Sequence, residues 1–113
     1  MWLATKVGFF SIVRKNKDEY HVRARMRPDL VELMELAEIE SELFESDHSD
    51  YRFRLVVDEK TVQVIGGKLF AEIDYDNFKD RIYDSPTQRV KSDAYGDIWA
   101  TMWLPRYLHR HRT

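Results

Sequence analysis

The sequence has no cysteine and few of the residues that interrupt regular structure. Its 113 residues include only three prolines and four glycines. Without cysteine, a disulfide framework, a thiolate nucleophile and every zinc site with cysteine ligands are excluded. No run of about 18 apolar residues occurs, and the N-terminus lacks the pattern of a signal peptide. We therefore expect a cytoplasmic protein without a membrane span.

The chain contains enough apolar residues for one core. Hydrophobic residues make up 43% of it, aromatic residues 13% and charged residues 34%. A chain of this length buries roughly two-thirds of its unfolded surface, so one core can form without disulfides or metal. We expect a single globular domain over residues 1–107 and a basic tail over residues 108–113.

The formal net charge of -2 hides a segregation of charge along the chain. The segment Pro28 to Asp50 carries nine acidic residues and neither lysine nor arginine. Arginines flank this acidic segment on both sides and recur near the C-terminus. Because surface potential acts over roughly 8 to 10 Å, local patches predict more about partners than the net charge does.

Three segments have the composition and alternation of β-strands. Trp2 to Arg14 is rich in β-forming residues, with a bend or bulge at Gly8. Tyr20 to Arg27 alternates, which assigns Met26 to the apolar face of that strand. Tyr51 to Val57 alternates most clearly. We predict three strands here, the first two joined by a polar hairpin connection.

The segment between the second and third of these strands predicts a helix and one ambiguous stretch. Pro28 suits a first helical turn, and the apolar residues that follow keep helical spacing to Ala37. Ile39 to Glu45 fits either a continuation of that helix or a short strand. We favour the strand.

Three further segments after Val57 favour helices. One begins at Thr61, with Thr61 as N-cap and an apolar stripe formed by Val62, Ile65, Leu69, Phe70 and Ile73. Gly66 and the glycine after it weaken this helix, so they either permit close packing on the sheet or mark a break. Residues 74–84 predict a short helical turn. Residues 92–104 predict a helix closed by a proline, with an apolar stripe formed by Tyr95, Ile98, Trp99, Met102 and Trp103.

The order of these elements is strand, strand, helix, strand, strand, helix, helix. It predicts an α+β fold with a roughly four-stranded antiparallel sheet and helices on one face. The layers resemble those of ferredoxin-like sandwiches, although the order ββαββαα differs from theirs.

Several segments together resemble a family of small uncharacterised bacterial proteins. They begin with Trp2-Leu3, Lys6 and Gly8-Phe9-Phe10-Ser11 and cover nearly the whole chain; the others are Arg23-Ala24-Arg25, Asp50 to Arg54, Ile73 to Lys79, Tyr95, Ile98-Trp99 and Met102. The resemblance implies a bacterial or phage origin and no mechanism. This chain departs from the family pattern in lacking an aromatic residue early in the Thr61 helix and in its tail after residue 107.

Four arginines form the first candidate site. Arg23 and Arg25 share one face of a strand, and Arg52 and Arg54 share one face of another. If the strands are neighbours, the guanidiniums lie within about 5 to 10 Å and attract anions, phosphate above all. With Phe9 and tyrosines on an exposed sheet, the arrangement resembles the platforms of single-strand RNA readers. Alternatively, Glu40, Glu42 and Glu45 on a neighbouring strand neutralise the arginines.

The second candidate is the polar segment Asp74 to Lys79. Tyr75, Asn77 and Lys79 could form a surface for a ligand, a partner or a small active site. Alternatively, the segment is a helix junction in which Tyr75 and Phe78 enter the core and either Asp76 or Asn77 caps the helix. The segment lacks the glycine and the final glutamate of an EF-hand, so calcium is disfavoured.

Other signals of catalysis and of metal binding are weak. The four histidines form no pair at metal-ligand spacing on a predicted helix, and the two in the tail are flanked by arginines. The motifs of serine hydrolases, P-loop NTPases and zinc metalloproteases are absent. We therefore predict neither a metal nor a cofactor, and we favour a non-enzymatic protein.

An aromatic cluster near the C-terminus has two interpretations. Trp99, Met102, Trp103 and Tyr107 follow helical spacing, which favours a core position and also suits a dimerisation face. The sequence as a whole favours a binding module with an arginine-rich face for anions, nucleic acid or an acidic partner. The alternatives are an oligomeric component built through the C-terminal helix and a small enzyme that uses Asp74 to Lys79.

Overall fold

A computed structural model describes residues 1–103 and 105 of the chain. They form five β-strands, four α-helices and one 3₁₀ turn at Arg89–Lys91. The strands are β1 Trp2–Ala4, β2 Phe9–Asn16, β3 Glu19–Ala24, β4 Phe44–Glu45 and β5 Phe53–Val57. The helices are α1 Arg27–Ala37, α2 Glu59–Ala71, α3 Phe78–Tyr83 and α4 Ser92–Thr101.

The strands form one antiparallel sheet in the order β1-β2-β3-β5-β4, so the expected α+β class with an antiparallel sheet is confirmed. The sheet has five strands rather than four, because the single first strand expected over Trp2 to Arg14 is two. Between them the Thr5 hydroxyl donates to the Gly8 carbonyl at 2.8 Å and accepts the Gly8 N–H at 3.1 Å. These bonds close a tight turn, which folds β1 back onto β2.

The second predicted strand ends earlier than expected. β3 stops at Ala24, and α1 begins at Arg27 with Pro28 in its first turn. Met26 therefore does not continue the apolar strand face; it is the extended residue before α1 and is 37% exposed. The fixed φ of proline suits a helix start, which explains why the helix forms here.

The ambiguous segment Ile39 to Glu45 is strand only at its end. α1 ends at Ala37, and Glu38 caps it in the left-handed conformation with φ 55°, its N–H reaching the Glu35 and Met34 carbonyls. Only Phe44 and Glu45 pair with β5. The prediction of a full strand is therefore wrong for residues 39–43.

One hydrophobic core joins the sheet to α1 and α2. Leu30 and Leu33 of α1 and Ile65 of α2 are fully buried in the same cluster as Val22 and Leu55 of the sheet. These strand residues are paired across β3 and β5, so they share one face of the sheet. Both helices therefore pack on that face, and the alternate residues of the strands lie on the opposite one.

Helix α2 differs from the prediction at both ends. It starts at Glu59, and the side chain of Asp58, not Thr61, is the N-cap, accepting the Thr61 N–H at 2.8 Å. Phe70 is 72% exposed and Ile73 is also exposed, so neither belongs to the core. Gly66 and Gly67 lie inside the continuous helix, so they do not break it. A Cβ at either position would meet open space, so they do not serve close packing on the sheet either.

The chain groups into two compact units, the first over residues 1–74 and the second from Tyr75 onward. In the second unit, Asn77 accepts the Asp80 N–H at 3.0 Å and caps α3, and Tyr95 of α4 is buried. The helix expected to reach Leu104 ends at Thr101, and Leu104 itself lies outside the described residues.

The single domain over residues 1–107 stays a prediction, and the basic tail over 108–113 lies outside the described residues. Within residues 1–103 and 105, no helix has both the length and the hydropathy needed to cross a bilayer.

Candidate functional site

Two of the predicted arginines lie side by side on the sheet face opposite α1 and α2. Arg23 of β3 and Arg54 of β5 are direct cross-strand partners. They alternate with the buried residues Val22 and Leu55, so their side chains leave the sheet on the other side. We call this side the arginine face; it carries Arg23 and Arg54, and Arg25 extends it beyond the end of β3.

Arg23 is held in place by a hydrogen bond and an aromatic ring. Its Nη2 donates to the hydroxyl of buried Ser11 at 2.7 Å, and its guanidinium lies 4.7 Å from the centroid of the Tyr51 ring. Its Nε is buried and has no hydrogen-bond acceptor among the described residues. Contacts of this kind restrict the rotamers of a long side chain, which lowers the entropy it would lose on binding.

Tyr51 supports a second guanidinium. The Arg25 guanidinium lies 4.8 Å from the same ring, and its Nε donates to the Asp50 carbonyl at 3.3 Å. The Tyr51 side chain is buried by these neighbours and others. Attraction between a cation and an aromatic ring contributes about 0.5 to 2 kcal/mol, the larger values applying where water is excluded. The ring therefore holds two like charges close together.

Arg54 is oriented by His21 and Ser49. Its Nη1 lies 3.1 Å from His21 Nδ1, and its Nη2 donates to the Ser49 hydroxyl at 3.1 Å. A guanidinium only donates, so His21 Nδ1 must accept, and the ring proton is on Nε2. That proton is donated to Glu19 Oε2 at 2.8 Å. His21 therefore links Arg54 to Glu19 through its two ring nitrogens.

The same chain of hydrogen bonds acts on Glu19. The bond from His21, followed by one from Asn16, holds the pKa of the Glu19 carboxyl below its usual range. Glu19 therefore contacts the imidazole rather than a guanidinium. Its negative charge is separated from Arg54 by the width of the His21 ring.

Arg52 is the exception among the four predicted arginines. It forms ion pairs with Glu45 at 2.9 Å and with Asp47 at 3.2 Å. Hydrogen bonding to Glu45 and the charges of both carboxylates raise its pKa. Of the three glutamates expected to neutralise the arginines, only Glu45 does so among the described residues, and it neutralises Arg52 alone.

The other three guanidiniums form no ion pair with a carboxylate in residues 1–103. Each has five N–H donors, of which described partners take one or two. Arg23 and Arg54 face each other directly, and like charges in that position destabilise a sheet unless something compensates them. The arrangement can bind anionic oxygen groups bidentately.

The polar segment Asp74 to Lys79 makes mainly structural contacts. Asn77 caps α3, the Tyr75 ring lies 5.9 Å from that of Phe78, and Lys79 Nζ lies 4.3 Å from the Trp99 ring centroid. Asp74 accepts from Lys6 at 2.9 Å within the first unit. These contacts agree with a helix junction, and a ligand role for Tyr75, Asn77 and Lys79 stays a prediction.

No group of three or more histidine, aspartate or glutamate side chains suited to a metal ion occurs in the described part of the chain. His21 is engaged by Glu19 and Arg54. His109 and His111 lie outside the described residues.

The aromatic cluster of the C-terminal helix is not core. Ile98, Trp99, Met102 and Trp103 are about half exposed or more, and Tyr107 lies outside the described residues. Helical spacing locates residues on one face but does not say whether another element covers that face. A dimerisation role for this face stays a prediction.

The sequence did not single out Ser11, His21 or Tyr51 as part of the site. Ser11 and His21 sit on strands that alternate as predicted, so their register with Arg23 and Arg54 was the missing information. Tyr51 was expected as the first residue of the strand to Val57, but it precedes β5, and its ring is buried against Arg23 and Arg25. No local signal in the sequence distinguishes a tyrosine that packs in the core from one that supports two guanidiniums.

Comparison with protein-family models, with curated proteins and with solved structures finds no match for this chain. The resemblance to a bacterial family stays a prediction.

Proposed function

We propose that the protein is a non-catalytic binding module whose arginine face binds phosphate-bearing anions. One observation carries the proposal: Arg23, Arg25 and Arg54 share the arginine face without a described carboxylate partner, whereas neighbouring Arg52 forms ion pairs with Glu45 and Asp47. A stable sheet with two facing arginines calls for compensation, and a bound anion supplies it.

Phosphate suits this face better than a carboxylate does, since several guanidiniums share the face. A chain of linked phosphates presents a closely spaced row of charged oxygens, which one carboxylate does not, and the guanidinium fork matches the geometry of phosphate oxygens. The contacts of Tyr51, Ser11 and His21 orient the three guanidiniums before any ligand arrives. Orientation in advance increases affinity because less side-chain entropy is lost on binding.

The proposal includes a cytoplasmic location and a bacterial origin. Phosphate-bearing polymers and metabolites are abundant in the cytoplasm, which suits a phosphate-binding face. The bacterial origin depends on the family resemblance alone.

The test measures the binding of inorganic polyphosphate to the whole protein by calorimetry. In the double variant R23Q and R54Q, we expect affinity to fall by roughly tenfold or more per arginine, from about 1.5 kcal/mol for each charge-assisted hydrogen bond that is removed. R52Q is the matched control, because Arg52 is already paired with Glu45 and Asp47, and it should bind like the wild type.

Thermal unfolding of each variant establishes that it is folded before binding is compared. R23K and R54K keep the charge but lose the fork, so they should bind between the wild type and the glutamine variant. The proposal is wrong if the wild type does not bind polyphosphate, or if R52Q loses as much affinity as the double variant.

A further inference from the structure

One row of paired residues crosses the whole sheet through the arginines. Trp2 pairs with Ser11, Ser11 with Arg23, Arg23 with Arg54, and Arg54 with Phe44. Directly paired residues of antiparallel strands point to the same side of a sheet. The arginine face therefore has an aromatic residue at each edge and two arginines in the middle.

Both terminal aromatic residues are accessible. Trp2 is 74% exposed and Phe44 is 43% exposed. Phe9, paired with Ala4, lies on the same face and is partly exposed. Exposing a tryptophan and a phenylalanine at opposite edges of one face is costly for stability, because each leaves a large apolar surface in water.

The row has the length of a short polymer segment rather than of a single small anion. Neighbouring strands lie about 4.8 Å apart, so the five strands separate Trp2 from Phe44 by about 19 Å. Small domains of the OB-fold type that bind single strands cover about 4 to 16 nucleotides each. The arginine face fits the lower end of that range.

We propose that the arginine face binds single-stranded nucleic acid, with the strand lying across the β-strands and unpaired bases stacked on Trp2 and Phe44. The inference rests on the proposed function, since Arg23, Arg25 and Arg54 are the groups that bind the phosphates. Stacking on exposed rings requires a free base face, which a duplex keeps inside its own stack. Polyphosphate and an acidic peptide offer no base, so they use only the arginines.

The experiment is fluorescence anisotropy of labelled oligouridine and oligothymidine of about 12 nucleotides. The competitors are the matching duplex, inorganic polyphosphate and a polyglutamate peptide. W2A and F44A should each lose about 5-fold to 150-fold in affinity for the single strand. Both variants should bind polyphosphate like the wild type, because they leave the guanidiniums in place.

The matched control is F70A. Phe70 is 72% exposed but belongs to α2, which packs on the opposite face of the sheet, so this variant should bind the oligonucleotide unchanged. W2F keeps a ring at the edge and should recover most of the affinity that W2A loses. Replacing Arg23 and Arg54 by glutamine should make the slope of log affinity against log salt shallower, by about 0.7 for each phosphate that the variant no longer neutralises.

Three results would overturn the inference while leaving anion binding intact. They are duplex binding as tight as single-strand binding, affinity for polyglutamate above that for the oligonucleotide, and W2A and F44A binding like the wild type while polyphosphate competes fully. If neither oligonucleotide nor polyphosphate binds, the proposed function itself is wrong.

Discussion

Gly8 lies at a position where the structure has no room for a side chain. A Cβ at this position would lie 2.7 Å from the Cβ and Cγ atoms of Asp29 and 2.8 Å from the Phe10 ring. Asp29 is buried in the first turn of α1 and accepts the Phe9 N–H at 3.1 Å. The glycine thus lets the start of β2 approach the first turn of α1 closely.

We expect Gly8→Ala to destabilise the protein by about 1 to 3 kcal/mol, because the added methyl group overpacks a site with no room. Urea unfolding measures this change. The matched control is Gly67→Ala in α2, where the added Cβ meets nothing within 4 Å. That substitution should stabilise the protein by about 0.5 to 1 kcal/mol through helix propensity. Equal effects at the two positions would contradict the packing argument.

Arg52 and Arg54 show that alternation along a strand does not predict the partners of a side chain. Both were expected on the polar face of one strand, and the alternation around them is similar. Yet Arg52 lies before the start of β5 and is paired with two carboxylates, whereas Arg54 contacts His21 and Ser49. Which carboxylate approaches which arginine depends on the path of the loop from β4 to β5, and no local periodicity encodes that path.

At the scale of elements, the start of α2 is set by a single carboxylate. Thr61 donates its backbone N–H to Asp58, and the hydrogen bonds from Thr61 hold the pKa of Asp58 below its usual range. The capping contribution belongs to the ionised form of Asp58. Part of the pH dependence of stability therefore comes from Asp58.

The sign follows from the two states of Asp58. Its pKa in the unfolded chain is about 3.9, and the folded value is lower. The stabilisation is fully present above that unfolded value and is lost as pH falls through the folded pKa. We expect the difference in unfolding free energy between the wild type and Asp58→Ala to be constant near neutral pH and to shrink in acid.

Denaturant unfolding across this pH range measures the difference. Asp58→Asn is the control, because an amide oxygen still caps the helix but does not titrate. Its stability should differ from that of Asp58→Ala by an amount that does not change in acid. A gap between wild type and Asp58→Ala that persists unchanged at low pH would show that ionised Asp58 is not the cap.

The helices also show where amphipathic patterns mislead. The stripe of α2 correctly identified Ile65 and Leu69 as core but included Phe70 and Ile73, which are exposed. In α4 the same kind of pattern correctly identified only Tyr95. Spacing defines a face, but the width of its buried part is set by how much of the neighbouring surface reaches it.

At the scale of the whole molecule, every member of the main core cluster lies within the first compact unit. The cluster extends from Val7 to Leu69 and includes residues from the sheet, α1 and α2. We therefore expect a fragment of residues 1–74 to fold cooperatively and to retain polyphosphate binding, because it keeps both this core and the arginine face. A domain of this size buries roughly 60% of its unfolded surface, enough for marginal stability.

Circular dichroism with thermal unfolding tests the fragment, and calorimetry tests its binding. A sigmoidal transition with wild-type affinity is the expected result. The R52Q fragment provides the control for binding, as in the full chain. A fragment without a cooperative transition would mean that residues after Asp74 are required for the first unit to fold.

The sequence by itself determined the features that depend on near neighbours along the chain. It predicted the α+β class, the antiparallel sheet, the strand ending at Val57, the start of α1 near Pro28 and the shared face of Arg23 and Arg25. Alternation, helical spacing and the restricted φ of proline operate within a few residues, so a local pattern records them. These local patterns predict which side of a helix or strand a residue occupies.

Only the tertiary structure decided what lies opposite each of those sides. The register that aligns Trp2, Ser11, Arg23, Arg54 and Phe44, the splitting of the first strand and the pairing of Arg52 all join distant parts of the chain. A shift of register by one residue reverses every side chain of a strand, and loop closure with core packing selects among the registers. These terms are set by the whole fold, so the arginine face and its aromatic edges emerge only when the sheet is assembled.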